Sequence, residues 1–281
     1  MQNKSSIAKS IEKHNFKIKK YYGQNFLTDH FIVSKIAELS NANKETTILE
    51  IGPGTGALTE ELLKVSKRVI AYEIDGEVVP ILKENTKEYD NLEVIVEDIL
   101  KADLSKINNL DENIICVANL PYYITSPIID LFLKKMVNVN KAIFMVQKEV
   151  GDRISANINT KDYNSFSILV QYFAKCKKIL NVPRSCFTPE PNVDSVVIEL
   201  EKFERKIKPK NEEFFVKVVE ASFKERRKML ANNLSSTFKL PKEELKDILK
   251  KLEIKEDARG EILSIDDYIK LSDKLEELLW A

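Results

Sequence analysis

Thr46-Thr47-Ile48-Leu49-Glu50-Ile51-Gly52-Pro53-Gly54-Thr55-Gly56 is the stretch that decides the fold. Its β-branched first half reads as a strand, and three alternating glycines follow. Helical periodicity then starts at once, with Leu58, Leu62, Leu63 and Val65 on one face. Strand, glycine turn and helix together form a nucleotide-binding arrangement, because glycine allows a tight bend and lets a ligand approach the backbone. The spacing is GxGxG rather than GxGxxG, which tilts away from a dinucleotide and its pyrophosphate. A tight turn with no ligand is the competing reading, and three glycines at one strand end disfavour it.

The pattern repeats outward. Arg68–Glu73 reads as a second strand, followed by a helix carrying Val78, Ile81 and Leu82. Leu92–Val96 is a third strand, ending at Glu97-Asp98, and Ile114–Ala118 a fourth, ending at Asn119-Leu120-Pro121-Tyr122. Pro127–Met136 reads as a helix and Ala142–Val146 as a fifth strand. Such alternation predicts an α/β fold, a parallel sheet with helices on both faces. Phe166–Phe173 and Ser195–Leu200 read as two more strands, separated by an extended segment punctuated by Pro183, Pro189 and Pro191. After Lys202 the character changes. Glu212–Leu234, Lys242–Leu252 and Ile265–Leu279 read as amphipathic helices. Two domains are therefore expected, residues 1–203 and a small all-helical one over 204–281.

Composition narrows the function. With 43% hydrophobic and 31% charged residues among 281, the chain can build a packed core, which excludes a disordered protein. No apolar run approaches the roughly 20 residues that span a bilayer, so no membrane partner is expected. Cys116, Cys176 and Cys186 form no CxxC pair, which fits a reducing, cytoplasmic setting. Only His14 and His30 are present, so no metal site is expected. The N-terminus lacks the apolar core of a secretory signal and reads as a basic arm. Formal net charge is zero, yet residues 1–24 carry +5, 41–120 carry −8, 134–184 carry +7 and 202–228 carry +5. Patchy solvated charge is the ordinary reading of this distribution, and a surface for a polyanion the sharper one.

The strand ends carry the chemistry. Gly52 and Gly54, Glu73, Asp98 and Asn119 all fall at carboxyl ends of successive strands, the edge where open α/β sheets bind ligands. A carboxylate at Glu73 can accept both hydroxyls of a ribose, and Asp98 can meet an adenine amino group; a helix cap is the alternative for an isolated acid. Asn119-Leu120-Pro121-Tyr122 suits an exocyclic amine, a poor nucleophile whose lone pair is delocalised into its ring. A side-chain amide oxygen and a backbone carbonyl can accept both N–H hydrogens and favour a pyramidal nitrogen. Pro121 stiffens the loop, and Tyr122 offers a ring on which a base can stack. An ordinary turn with a packing tyrosine is the bland alternative.

At these residues the sequence resembles the ribosomal RNA adenine N6-dimethyltransferase family. Tyr22-Gly23-Gln24-Asn25-Phe26-Leu27 resembles its N-terminal cofactor motif, and Leu49–Gly56 its glycine loop. Glu73 stands as the ribose acid, Asp98 as the adenine contact and Asn119–Tyr122 as the catalytic loop. Phe187-Thr188-Pro189-Glu190-Pro191-Asn192-Val193-Asp194-Ser195 resembles the loop whose Phe stacks on the target base. The resemblance implies a Rossmann-like methyltransferase domain bearing the basic arm, with S-adenosyl-L-methionine as cofactor. Gln24, Asn25, Leu27, Gly52, Gly54, Glu73, Asp98 and Asn119 would bind it. Asn119, Leu120, Pro121, Tyr122 and Phe187 would form the catalytic group. Lys224, Arg226, Arg227 and Lys228 read as a basic cluster on a helix; a solvated face is the plain reading, and the resemblance makes it a grip on RNA phosphates within a ribosome-binding domain. Phe223-Lys224-Glu225-Arg226-Arg227-Lys228 and Arg259-Gly260-Glu261-Ile262-Leu263-Ser264 favour the branch that dimethylates two adjacent adenosines in the 3′-terminal hairpin of 16S rRNA. That branch usually has Ala where Gly260 stands, and Tyr123 replaces a frequent Asn. The implied partner is 16S rRNA within an immature 30S subunit, met by a monomer. The alternatives are a large-subunit methyltransferase conferring antibiotic resistance and an assembly factor whose methylation is incidental. An oxidoreductase is a third class. Glu73, Asp98 and Asn119 together argue for a live methyltransferase.

Overall fold

The computed structural model describes residues 13, 14, 16, 19 and 23–280. Tyr21, Tyr22 and most of the basic arm lie outside the described residues. The chain divides into two compact units, one of residues 1–151 with 175–202, the other of 152–174 with 203–281.

The first unit is a sheet covered by helices. Its strands are β1 (Phe26–Leu27), β2 (Thr46–Ile51), β3 (Arg68–Glu73), β4 (Leu92–Val96), β5 (Asn113–Asn119), β6 (Val139–Gln147), β7 (Ala174–Val182), β8 (Phe187–Thr188) and β9 (Ser195–Lys202). Seven of them form one sheet in the order β4-β3-β2-β5-β6-β9-β7. β2 is buried along all six residues and pairs in parallel with β3 and β5. A strand hidden on both faces has no solvent side to make polar, which is why Thr46–Ile51 does not alternate. β9 runs antiparallel to β6, and β1 pairs with β8 as a separate two-stranded ribbon. The covering helices are α1 (His30–Leu39), α2 (Ala57–Val65), α3 (Val79–Asn85), α4 (Ser105–Asn108) and α5 (Thr125–Lys135). α6 (Lys148–Ile154) follows β6.

The second unit is helical, with α7 (Ser165–Phe173), α8 (Glu212–Ser222), α9 (Leu230–Phe238), α10 (Lys242–Lys251) and α11 (Ile265–Leu279). Phe215, Val218, Leu230, Leu234, Leu245, Leu249, Tyr268 and Leu271 make its core at 0% exposure.

Three sequence expectations are corrected. Phe166–Phe173 is a helix rather than a strand, because Asn164 accepts from the N–H groups of Phe166 and Ser167 and closes a capping box with the Ser167 hydroxyl. Its buried Ile168 and Tyr172 lie one turn apart, and the Tyr172 ring packs 4.7 Å from that of Phe215. Residues 152–174 accordingly belong with the helical unit rather than with the sheet. Glu212–Leu234 is two helices rather than one. Asn233 Nδ2 donates to the Ser222 and Glu225 carbonyls, at 2.8 and 3.1 Å, so a side chain closes the end of α8 where the next turn would have done so.

Candidate active site

Strand order reverses at β2. The chain leaves it for β3 and β4, then returns to its other side as β5. Neighbouring strands whose connections depart in opposite directions leave a crevice beyond their carboxyl ends. A cavity of about 310 Å³ lies there, lined by Gly23–Leu27, the glycine loop, Glu73, Asp98 and Asn119–Ile124. Thus Gln24, Asn25, Leu27, Gly52, Gly54, Glu73, Asp98, Asn119, Leu120, Pro121 and Tyr122 are brought together as the sequence implied.

The glycine loop is left-handed at Gly52, Gly54 and Gly56, with φ of +70°, +56° and +90°. A Cβ on Gly54 would lie 3.0 Å from the Phe26 ring, whereas Gly52 has nothing within 4 Å and leaves its backbone open to a ligand. Glu73 is 5% exposed. Its Oε2 accepts from the Gly54 N–H at 3.1 Å and its Oε1 from the Asp75 N–H at 2.9 Å. Burial raises its pKa, and these two backbone donors oppose the rise. Beside it, Glu50 is fully enclosed and its Oε2 lacks a hydrogen-bond partner. Burial, reinforced by the charge of Glu73, pushes the Glu50 carboxyl up to about 8. A cation or N–H donor in the cavity would satisfy that oxygen. Asp98 caps the following turn, Oδ1 accepting from Leu100 N–H at 3.1 Å, while still lining the cavity.

Asn119 ends β5, and its Nδ2 donates to the Asn25 carbonyl at 3.1 Å. That bond fixes the amide and leaves Oδ1 as the acceptor for a ligand. Pro121, at φ −57° and ψ 132°, turns the chain into a single 3-10 turn over Tyr122–Ile124. The Tyr122 hydroxyl is 2.9 Å from Ser195 Oγ at the start of β9, which holds the ring at the cavity wall. Burial raises the Tyr122 pKa, so the phenol stays neutral.

Two expected site groups are placed differently. Phe187 is 2% exposed in β8, opposite Leu27 of β1, and packs into the apolar core of the sheet unit. It is not among the cavity residues, because strand pairing turned it inward. The basic cluster lies in the turn between α8 and α9, with Lys224, Arg226, Arg227 and Lys228 all exposed. Arg226 donates to the Lys161 carbonyl, and Lys228 pairs with Glu225 at 2.7 Å. Sequence reading gave no role to Asp75 or to the hydroxyl of Ser195. Asp75 shows only as a second acid two residues after Glu73.

The model of the family described as ribosomal RNA adenine dimethylase matches residues 15–276. The chain belongs to the ribosomal RNA adenine dimethylase family. A relative from Streptococcus thermophilus, "Ribosomal RNA small subunit methyltransferase A", is 46% identical, with 97% of each chain covered. One of the same name from Clostridium acetobutylicum is 43% identical over 94% of this chain and 96% of its own. Among solved structures, a dimethyladenosine transferase from Plasmodium falciparum superposes with a TM-score of 0.76 at 28% identity, covering 90% of this chain and 98% of that one. The 23S rRNA methyltransferase ErmE superposes with a TM-score of 0.68 at 26% identity, covering 90% and 100%. The fold is thus the Rossmann-like methyltransferase fold, and this dimethylase is an rRNA adenine methyltransferase. Among the described residues no helix is long and apolar enough to cross a membrane.

Proposed function

We propose that the enzyme dimethylates N6 of two adjacent adenosines in the 3′-terminal hairpin of small-subunit rRNA, acting as a cytoplasmic monomer on an immature small subunit. The observation that carries the chemistry is the fixed Asn119 amide, whose Nδ2 is held by Asn25 so that Oδ1 accepts. The relatives named for the small subunit support that substrate over a large-subunit one. The methyl donor is S-adenosylmethionine, which supplies an electrophilic methyl on a sulfonium. The residues fit such a cationic nucleoside: Glu73 could take the ribose hydroxyls, Gly52 leaves its backbone open, and Glu50 on the cavity wall has an oxygen without a partner.

Asn119 Oδ1 and the Leu120 carbonyl accept the two N6 hydrogens, which localises the nitrogen lone pair. Tyr122 presents its face to the base, anchored through Ser195. No side chain acts as general base; the nitrogen, acidic after methylation, loses its proton to water. With Phe187 buried, Tyr122 provides the stacking face in this conformation. Tritiated-methyl transfer to immature small subunits tests the reading, with large subunits as control. Asn119→Ala should cut kcat by roughly 10²-fold, the scale of one preorganised polar contact, and change cofactor affinity little. Label on large subunits alone would overturn the substrate assignment, and near-normal turnover by the variant the role of Asn119.

A further inference from the structure

Asp75 follows the ribose acid by two residues and is only 2% exposed. A carboxylate so enclosed needs donors, and it has three from different parts of the chain. Lys19 Nζ lies 2.8 Å from Oδ1, Gln24 Nε2 donates to Oδ2 at 2.9 Å, and the Glu77 N–H donates to Oδ1 at 3.1 Å. Its own N–H donates to Glu73 Oε1. Both ends of the Gln24 amide are engaged, since its Oε1 accepts from the Lys19 N–H at 2.8 Å. Gln24 therefore lines the cavity as part of a clasp, with its polar atoms turned to Asp75 and Lys19. Three described residues nearby in the chain make further contacts. Phe16 packs edge-on against Phe26, with ring centroids 6.3 Å apart, in a cluster with Val78 and Ile81. Lys13 and His14 both meet Glu84 on α3.

We propose that Asp75 is a positioning residue for the cofactor site, and that Lys19 latches onto it, tying Gln24 and the Glu73 carboxylate into one preorganised wall. The proposal rests on the reading that this cavity holds S-adenosylmethionine. It follows from connectivity. The Asp75 carboxylate accepts from Lys19 and Gln24, its backbone N–H donates to Glu73, and Glu73 in turn accepts from the Gly54 N–H of the glycine loop. Releasing Lys19 leaves a buried carboxylate short of its charged partner, and the segment carrying Gln24 and Asn25 loses its tie to the ribose acid. Preorganisation of this kind is felt chiefly in affinity.

The test compares wild type with Lys19→Met and Lys19→Arg in the full chain. Calorimetry with S-adenosylmethionine should show about tenfold weaker binding for Lys19→Met, the scale of one lost charge-assisted hydrogen bond, and near wild-type binding for Lys19→Arg. In methyl-transfer assays the loss should appear in the KM for cofactor, with kcat at saturation within about twofold. In the cofactor-free protein, hydrogen exchange at the Gly54 and Asp75 amides should quicken in Lys19→Met by more than at the sheet amides. Equal affinity and equal exchange in wild type and Lys19→Met would overturn the latch. So would exchange quickened equally at all amides of the sheet, which would make the contact an ordinary element of the fold. Wild type failing to bind S-adenosylmethionine at all would instead sink the reading of the cavity, and the exchange of the free proteins would still decide the clasp.

Discussion

Glu50 offers a sharp test of how the cofactor wall is built. It is 1% exposed, and burial moves its carboxyl from the ordinary 4.5 to about 8. The folded state therefore holds this proton more tightly than the unfolded chain does. Its stabilising contribution is complete below about pH 4.5 and is lost as the pH rises through about 8. At about 1.4 kcal/mol per pKa unit, the whole titration amounts to ~5 kcal/mol, with ~3 kcal/mol already lost at pH 7. Glu50→Gln keeps the shape and replaces one partnerless polar atom by another, but has no proton to lose. Urea denaturation of both proteins at pH 5, 7 and 9, without cofactor, is the assay. The variant should match wild type at pH 5, exceed it by roughly 2–3 kcal/mol at pH 7, and exceed it further at pH 9. A difference independent of pH would refute the reasoning and mean that Glu50 is charged in the fold.

Glu73→Ala should weaken cofactor binding by about 1.5–3 kcal/mol, the scale of charge-assisted hydrogen bonds, as read by calorimetry. Gly56→Ala should destabilise the sheet unit by at least ~1–2 kcal/mol in thermal melts, since the added Cβ would meet Leu82 Cδ1 at 2.7 Å and φ is +90°. Lys224→Ala/Arg227→Ala should lower rRNA affinity and reduce the log–log salt slope by about 0.7–0.9 for each lost phosphate contact, leaving cofactor binding intact. An unchanged slope in a salt titration would make that turn a solvated surface and nothing more.

The parallel half of the sheet was legible because its strands are short β-branched and apolar runs that end at turn signals. Thr46–Ile51, Arg68–Glu73 and Leu92–Val96 were placed at their observed bounds by that signal, although the last is an edge strand and only partly buried. β7 was missed because Lys175, Lys177 and Lys178 mask its pattern; a strand at a sheet edge tolerates charge that a central one does not. Phe166–Phe173 misled because aromatic and branched residues suit a strand as well as a buried helix, and only the Asn164 cap and the contact with Phe215 decide between them.

By itself, then, the sequence determined the strand–glycine–helix unit and the placement of Glu73, Asp98 and Asn119 at or just beyond strand ends, because these depend on local periodicity and short spacings. Tertiary structure decided what depends on partners far along the chain. Asn25 fixes the Asn119 amide across 94 positions, and Asp75 gathers Lys19 and Gln24 across 56 and 51. The pairing of Leu27 with Phe187 likewise turned an aromatic expected at the base into the core. No local pattern encodes such contacts, because burial and hydrogen bonding reward a residue only after the fold has brought its partner within reach.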